Sequence, residues 1–461
     1  MNQRTVFNKT AYFLIFALIV LTTIIYGAVH QSVLAVVYIL VAAMTILWSA
    51  DGFRSGRLSY SRSWFQLPVL GIAVYGLIQV LPFGFMPEIA GVSDIPRTIS
   101  LDPFATKVSA LHFFILLAFF SISLTLIDSA DRLRRMVIFI SILGFGYAFF
   151  AILQSVLSPD KIYGIYGRLG ASPFGSFVNR NHFAAWIELV AALPLGLLFS
   201  GVVSKDKRLL YITAIALMGA ALLLSGSRGG LIAFVIELLF LALITYANDG
   251  KRKLGVKIAL AVGLFVAVIA GAVFVGGETS LTRFNTEQTV SIETDSSRTH
   301  IWSVTLKVIG DSLPFGVGIG AFGTAYDKFD ASSGLGRVEQ AHNDYLQTLS
   351  DAGIVGAFLV IAFLYLLFQT GRRALRIENH YRRAIAAGAL AGMTAVLVHS
   401  MFDFVLHTTA IALLFLTLMT VLVASQTTFS DDVPNEDELQ NRKRRRRSPG
   451  SNDPSRQVIK V

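Results

Sequence analysis

Long apolar runs follow one another along most of the chain and are separated by short polar connections. A helix needs roughly 20 apolar residues to cross a hydrocarbon core about 30 Å thick. Runs close to this length predict about twelve transmembrane helices, at residues 11–29, 32–49, 65–83, 108–127, 136–157, 183–203, 209–224, 231–247, 256–275, 345–369, 384–401 and 404–424. The pattern therefore predicts an all-α, polytopic integral membrane protein.

The composition agrees with this fold class. Hydrophobic residues make up 54% of the 461 positions and charged residues only 15%, whereas soluble domains carry roughly 25% charged residues. The length alone would suggest about three soluble domains, and the composition excludes that interpretation. The chain has no cysteine, which excludes disulfides, a cysteine nucleophile and thiolate metal sites.

The placement of the basic residues predicts the orientation of the chain. With the N-terminus inside, alternate connections hold 28 of the 39 Lys and Arg residues, and cytoplasmic loops are the ones enriched in these residues. Both termini are therefore predicted to be cytoplasmic. The same distribution removes nucleic acid as a partner, although the net charge of +10 alone would have allowed it.

Two regions fall outside the regular succession of spans. Residues 276–344, between the ninth and tenth spans, are predicted to form a large periplasmic loop that carries function or short helices of its own. Residues 425–461 contain the basic run 442–447 and are predicted to be a disordered cytoplasmic tail anchored to anionic lipid. The polytopic membrane domain is thus assigned to residues 1–424.

Polar motifs stand at the outer mouths of three predicted spans. They are Asn179–His182, Ser225–Gly230 and Glu339–Asp344, and each directly precedes a span that runs from outside to inside. The first turn of a helix offers free backbone N–H groups and the positive end of the helix dipole, which together bind anions. Two of the motifs contain arginine and two contain histidine. This combination indicates chemistry on a phosphate-bearing substrate.

Less specific interpretations of these motifs stay open. Asn and Asp before a helix commonly act as N-caps, and this is the expected role of Asn179, Asn343 and Asp344 if each is considered alone. The pair Gly229–Gly230 permits a tight turn and close packing as readily as a function. An ionisable group near membrane depth is costly and usually functional, which favours a function for Arg228.

Other polar residues lie near the outer end of the last hairpin. They can form a second polar cluster, but packing between the spans is the role expected of Asp403, His407 and His399. The chain shows no carboxylate cluster with the spacing of metal ligands. We therefore expect a cation supplied by arginine rather than by a metal.

Four stretches give the chain a family resemblance. They are Ser227-Arg228-Gly229-Gly230 at the start of an apolar span, the stretch 341–347 (Ala-His-Asn-Asp-Tyr-Leu-Gln), the stretch 351–356 (Asp-Ala-Gly-Ile-Val-Gly) and the stretch 175–184 around Asn-Arg-Asn-His. In this combination the chain resembles the O-antigen ligase and polymerase superfamily of bacterial cell-surface polysaccharide assembly. The resemblance covers roughly residues 95–370.

The resemblance implies a membrane glycosyltransferase of the GT-C fold class that uses no metal and no other cofactor. It implies a polyprenyl-diphosphate-linked glycan as the donor and a glycan or lipid A-core as the acceptor. Arg180 and Arg228 would then hold the donor diphosphate, and we group Asn181 and Ser227 with them.

The resemblance also implies that His342 acts on the acceptor hydroxyl. A histidine suits this role because its ordinary pKa lies near 6.5. Glu339, three residues earlier, can orient the imidazole ring. His182, Asn343 and Asp344 are predicted to contact the acceptor or to support the residues that do.

The motifs are common to the polymerases and the ligases of the family, so both activities stay open. The Asn-Arg-Asn-His form of residues 179–182 favours polymerisation of exopolysaccharide or O-antigen repeat units over ligation of finished glycan to lipid A-core. A flippase of lipid-linked sugars is the alternative from another class, but its charged residues should line a cavity at mid-membrane.

The expected surroundings follow from the same interpretation. We expect the bacterial inner membrane, with both termini in the cytoplasm and the active site in the periplasm. Membrane lipids and other polysaccharide-assembly proteins are further expected partners.

Overall fold

The computed structural model describes residues 4–87, 93–159, 161–167, 172–249, 295–330 and 338–427, and four isolated positions at 255, 262, 263 and 266. The predicted span 256–275 lies outside these ranges apart from three of the isolated positions, and so does the predicted tail beyond residue 427. Residues 276–294 and 331–337 of the predicted loop 276–344 also lie outside them. The described residues form helices and a few isolated β-bridges, with no strand.

Thirteen α-helices account for most of the described residues. They are α1 (Val6–Ile24), α2 (Gln31–Ser55), α3 (Gln66–Gln79), α4 (Pro103–Leu126), α5 (Ala130–Leu157), α6 (Arg180–Phe199), α7 (Lys205–Leu224), α8 (Arg228–Asp249), α9 (Asp295–Ser312), α10 (Phe322–Phe329), α11 (Asp344–Ala374), α12 (His380–His399) and α13 (Thr409–Ser425).

The helices confirm the predicted fold class, an all-α polytopic membrane protein. Each of the predicted spans other than 256–275 coincides with one of the helices. Among the described residues, eight helices are long and apolar enough to cross a membrane, namely α1, α2, α4, α5, α6, α7, α8 and α11. Helices α3 and α13 are apolar but shorter, with 14 and 17 residues. The number of twelve spans stays a prediction.

Several helices begin at a side chain that satisfies a free backbone N–H group. Asp102 accepts from the backbone N–H of Ala105 at 3.0 Å and is followed by Pro103, which suits the first helical position. Asn179 accepts from the N–H of Asn181 at 2.8 Å and fixes the start of α6. The cap at Asn179 agrees with the role expected of that residue, whereas the predicted span 108–127 began five residues after the start of α4.

Helix α6 is the centre of the bundle. Every residue from His182 to Phe199 is buried, and the helix contacts α5, α7, α8, α12 and α13. Its closest neighbour is α12, because a Cβ atom at Gly196 would lie 2.6 Å from Cα of Gly388. Small residues let two helix backbones approach in this way inside a membrane.

Ionisable side chains lie inside this central packing. Glu188 of α6 and His399 at the end of α12 are 0% and 1% exposed, and Nδ1 of His399 lies 2.8 Å from Oε1 of Glu188. Glu237 of α8 is also fully buried. The contact between Glu188 and His399 compensates for the burial of both side chains, and it ties α6 to α12.

Helix α11 is broken at Gly353, where φ is 56° and ψ is −143°. The segment 314–320 fills the break, since the N–H of Ile354 donates to Pro314 O at 2.9 Å and the N–H of Gly318 donates to Asp351 O at 3.0 Å. The buried amide of Gln79 donates to Asp351 O as well, at 2.9 Å. The stretch 351–356 is therefore a structural junction that anchors the segment after α9.

Candidate active site

The three predicted helix mouths meet around one short loop. This loop, residues 400–408, joins α12 to α13 and ends in a 3-10 turn at Val405–His407. It makes hydrogen bonds to residues at the starts of α6 and α11. The start of α8 packs against its first residues, since a Cβ atom at Gly229 would lie 3.4 Å from Cβ of Phe402.

Asp403 is the centre of this arrangement. Its carboxylate is 1% exposed and lies 3.1 Å from Nδ1 of His342. It also accepts hydrogen bonds from the side-chain amide of Asn181 at 2.5 Å and from the N–H of Phe404 at 2.9 Å. Three donors on a buried carboxylate satisfy it as an ion and hold the two site residues in fixed positions.

The charge on Asp403 is stabilised by its surroundings. Burial alone would raise its pKa, but the hydrogen bond from His342 and the electrostatic influence of His182, His342 and Arg298 hold the pKa well below its ordinary value. Asp403 is therefore ionised beside the imidazole of His342. Arg298, near the start of α9, was not predicted as part of the site.

His342 is held in an unusual conformation. Its φ is 49°, in the left-handed region that few residues other than glycine adopt. The neighbouring Ala341 is fixed on both sides, because its N–H donates to the side chain of Gln347 at 2.6 Å and its C=O accepts from the indole of Trp302 at 3.0 Å. Strained backbone held by its surroundings is common at functional sites.

The contact with Asp403 also fixes the tautomer of His342. An ionised carboxylate only accepts hydrogen bonds, so Nδ1 of His342 carries the hydrogen. Nε2 of a neutral ring then keeps its lone pair. The side chain is 14% exposed, which leaves a small part of it open to a reactant.

A second carboxylate–histidine pair lies beside the first. Nδ1 of His407 is 2.7 Å from Oδ1 of Asp344, and the other oxygen of Asp344 accepts from the N–H of Leu406 at 3.2 Å. The N–H of Asp344 donates to Ser400 O at 2.9 Å. Asp344 thus ties the first turn of α11 to both ends of the loop.

The mouth of α6 presents three of the predicted residues. The backbone N–H of Arg180 donates to Ser172 O at 2.9 Å, and its side chain is half-buried. Nδ1 of His182 lies 2.9 Å from the hydroxyl of Thr408. The ring of His182 also meets the edge of Phe404, with centroids 4.9 Å apart. Arg180, Asn181 and His182 therefore all lie at the site.

The mouth of α8 is built for close packing. Ser227 is 1% exposed and its hydroxyl accepts from the N–H of Gly230 at 3.1 Å, as an N-cap does. A Cβ atom at Gly230 would lie 2.6 Å from Cβ of Ala184, and one at Gly229 would lie 3.1 Å from Cδ2 of His399. Only glycine fits here without displacement, and the neighbouring Arg228 is exposed.

Comparison with protein-family models matches residues 213–361 to the family described as O-Antigen ligase. The chain contains an O-antigen ligase domain. The match supports the superfamily inferred from the motifs, over a shorter range than the predicted 95–370, and it supports a function of the O-antigen ligase or polymerase type. No curated protein matches the chain.

The O-antigen ligase domain holds only part of the candidate site. It extends from within α7 to within α11 and includes Ser227, Arg228, Glu339 and His342. The mouth of α6 precedes the domain, and the loop 400–408 follows it. The pair formed by His342 and Asp403 therefore joins the domain to the last helical hairpin.

The structure corrects one expectation and gives roles to others. Asp403 and His407 were expected to pack between spans, but both are hydrogen-bonded to predicted site residues. The sequence feature that points to this role is their position in a short polar connection between two apolar runs. Asn343 acts as the N-cap of α11, accepting from the N–H of Tyr345 at 3.0 Å.

The predicted residue Glu339 is exposed and stands three residues before His342. The carboxylate that contacts Nδ1 of His342 belongs to Asp403. The orienting contact at this nitrogen therefore comes from a residue that was not predicted for this role. Within the described residues, no group of three or more His, Cys, Asp or Glu side chains is arranged to hold a metal ion.

Proposed function

We propose that the protein is a metal-independent, inverting glycosyltransferase of the GT-C class that transfers a polyprenyl-diphosphate-linked glycan to an acceptor hydroxyl. The observation that carries the proposal is the buried Asp403 carboxylate, 3.1 Å from Nδ1 of His342 and next to the mouth of α6 with its Arg180. This arrangement supplies a base for the acceptor beside cations for a phosphate leaving group.

His342 is the general base of the proposed reaction. Its Nε2 takes the proton of the acceptor hydroxyl as the oxygen attacks the anomeric carbon of the donor sugar. The imidazolium that forms is stabilised by Asp403, which stays ionised throughout. Asn181 donates a hydrogen bond to the second oxygen of Asp403 and so positions this carboxylate. The contact predicted between Asn181 and the diphosphate is therefore secondary.

Arg180 and Arg228 receive the charge that develops on the leaving group. The bond from the anomeric carbon to the diphosphate oxygen breaks as the new glycosidic bond forms, and the lipid diphosphate leaves with the electron pair. Both arginines are the first residues of their helices, α6 and α8, where free N–H groups add to their charge. A single displacement of this kind inverts the anomeric centre.

Polymerisation of exopolysaccharide or O-antigen repeat units is the preferred activity, and ligation to lipid A-core is the alternative within the family. The preference comes from the Asn-Arg-Asn-His motif at 179–182. We place the protein in the bacterial inner membrane with the site on the periplasmic face, because the basic residues concentrate in the connections at the other face.

The lipid-linked glycan pool of a strain lacking the gene tests the proposal. A polymerase predicts that single repeat units accumulate on the polyprenyl diphosphate. Finished chains that remain on the lipid would reject the polymerase in favour of the ligase. In a second measurement, the purified protein should form a new glycosidic bond between the lipid-linked glycan and the acceptor. Transport of the lipid-linked glycan without any bond formation would indicate a flippase.

A further inference from the structure

A cavity of about 590 Å³ lies between α1 and α5, at the end of the bundle opposite to the candidate active site. Helix α5 runs from this cavity towards the site, since its last third packs beneath Gly175, five residues before Arg180. The cavity is lined by four cationic side chains, those of Arg4, Lys9, Arg132 and Arg135.

Two of these cations are held by the protein. The guanidinium of Arg132 stacks 4.5 Å from the ring centre of Tyr12 and donates to Leu126 O at 2.7 Å, so it forms part of the cavity wall. Arg4 forms an ion pair with Asp128 at 2.8 Å. Neither arginine needs a further anion.

The other two cations are open to a ligand. Lys9 is exposed and makes no ion pair within the part of the chain that the structure describes. Arg135 is 67% exposed and lies 4.0 Å from Asp131, which is itself 76% exposed. Such a solvent-exposed pair is weak. The cavity therefore presents two cations that no strong ion pair within the described residues engages.

Aromatic side chains form the rest of the lining, namely Tyr12, Phe13 and Phe16. Phe13 is 65% exposed on the outside of the bundle. Phe16 packs edge-on against Phe139, with ring centroids 4.5 Å apart. The lining thus combines cationic and aromatic side chains, which suits a molecule with an anionic head and an apolar chain.

Both helices that form the cavity begin at its cationic end, α1 at Val6 and α5 at Ala130. Their positive dipole ends add to the potential there. Because α1 and α5 are long and apolar enough to span a membrane, this end lies where a leaflet places its phosphates. By the distribution of Lys and Arg, that leaflet is the cytoplasmic one.

We propose that this cavity binds an anionic phospholipid of the cytoplasmic leaflet. The phosphate sits between Lys9 and Arg135, and one acyl chain lies along Phe13 and Phe16. Basic pockets between membrane helices on this side recognise anionic headgroups in this manner. The inference rests on the membrane topology and is independent of glycosyl transfer.

The full-length protein, reconstituted in vesicles of phosphatidylcholine with or without phosphatidylglycerol, provides the test. Lipid retained after extraction is identified by native mass spectrometry for the wild type and for the double variant Lys9→Gln/Arg135→Gln. The matched control is Arg54→Gln/Arg57→Gln, which removes two exposed cations near the end of α2, outside the lining of the cavity.

The cavity variant should retain phosphatidylglycerol about 25-fold more weakly, because each of the two cations near the membrane surface contributes about fivefold. The control should match the wild type. Equal losses in the two variants would overturn the proposal in favour of a diffuse surface charge. Full competition by glycerol phosphate or inorganic phosphate would overturn it in favour of a soluble anion, since a lipid held partly by Phe13 resists such competition.

Discussion

The carboxylate of Asp403 and the imidazole of His342 meet at 3.1 Å although 61 positions separate them in the sequence. Asp403 comes from the loop between the last two helices, and His342 comes from the connection before α11. The two residues thereby bring the last hairpin into contact with the O-antigen ligase domain. A base that is oriented by a buried anion is the usual preparation for taking a proton from a hydroxyl group.

Asp403→Asn should abolish most of the transferase activity without unfolding the protein. Asparagine keeps the size of the side chain but loses the negative charge that stabilises the imidazolium of His342. It also loses the carboxylate, which only accepts hydrogen bonds and thereby fixes the tautomer of His342. The loss in kcat should be about 10²- to 10⁴-fold, the contribution typical of a positioned acid or base. Radiolabelled transfer from lipid-linked donor measures it, with Asp206→Asn, an exposed carboxylate at the start of α7, as control. Near-normal kcat in Asp403→Asn would remove this residue from the mechanism.

His342→Ala and His342→Gly should both be inactive, but they should differ in stability. The φ of 49° at this position strains alanine and suits glycine. His342→Gly should therefore unfold at the higher temperature, with a difference of about 1–2 kcal/mol in unfolding free energy. Thermal unfolding in detergent gives the comparison. Equal stability of the two variants would mean that the left-handed backbone is not maintained in the functional protein.

The helices and their starts could be predicted from the sequence because their causes are local. The length of an apolar run and a capping Asn act within a few residues, as at Asn179 and Asn343, both of which were predicted to be N-caps. The break of α11 at Gly353 has no such local cause, since it depends on the insertion of the segment that contains Pro314. The apolar run therefore predicted the start of α11 to within one residue but placed its end five residues too early, and it missed the irregular turn.

The centre of the site was missed for a similar reason. Asp403 interacts with Asn181 and His342, which are 222 and 61 positions away, and no periodic pattern links residues at such separations. A lone Asp in a short connection is usually a turn or packing residue. Only the folded arrangement of α6, α11 and α12 reveals that this Asp receives hydrogen bonds from two predicted site residues.

Arg180→Lys and Arg228→Lys should retain more activity than the corresponding alanine variants, yet less than the wild type. A lysine keeps the charge but lacks the planar pair of donors that fits two phosphate oxygens. Loss of one such donor should raise the activation barrier by about 2.7–4 kcal/mol in the alanine variants. Steady-state kinetics should show the loss mainly in kcat. Full activity of Arg228→Ala would reject the role of this residue at the diphosphate.

Removal of one member of the Glu188–His399 pair should destabilise the bundle more than removal of both. Either Glu188→Leu or His399→Leu leaves a buried polar partner without compensation, at a cost of about 3–5 kcal/mol. The double variant Glu188→Leu/His399→Leu removes both groups from the interface of α6 and α12 and should recover part of that loss. A double-mutant cycle of unfolding free energies measures the coupling. Strict additivity would show that the 2.8 Å contact contributes nothing to stability.

The pair formed by His407 and Asp344 should make stability depend on pH. Burial alone would lower the pKa of His407, but the hydrogen bond to Asp344 and the charges of Asp344 and Asp351 outweigh it and raise that pKa. A pKa that is higher in the folded state stabilises the protein fully below the unfolded value of about 6.5, and this contribution is lost as the pH rises through the folded value. The midpoint of thermal unfolding of His407→Gln should therefore fall furthest below the wild type near pH 5.5 and approach it in alkaline solution. The control His380→Gln, at the exposed start of α12, should show no such trend. If the difference in unfolding midpoint between His407→Gln and the wild type is the same at every pH, protonation of this ring does not contribute to folding.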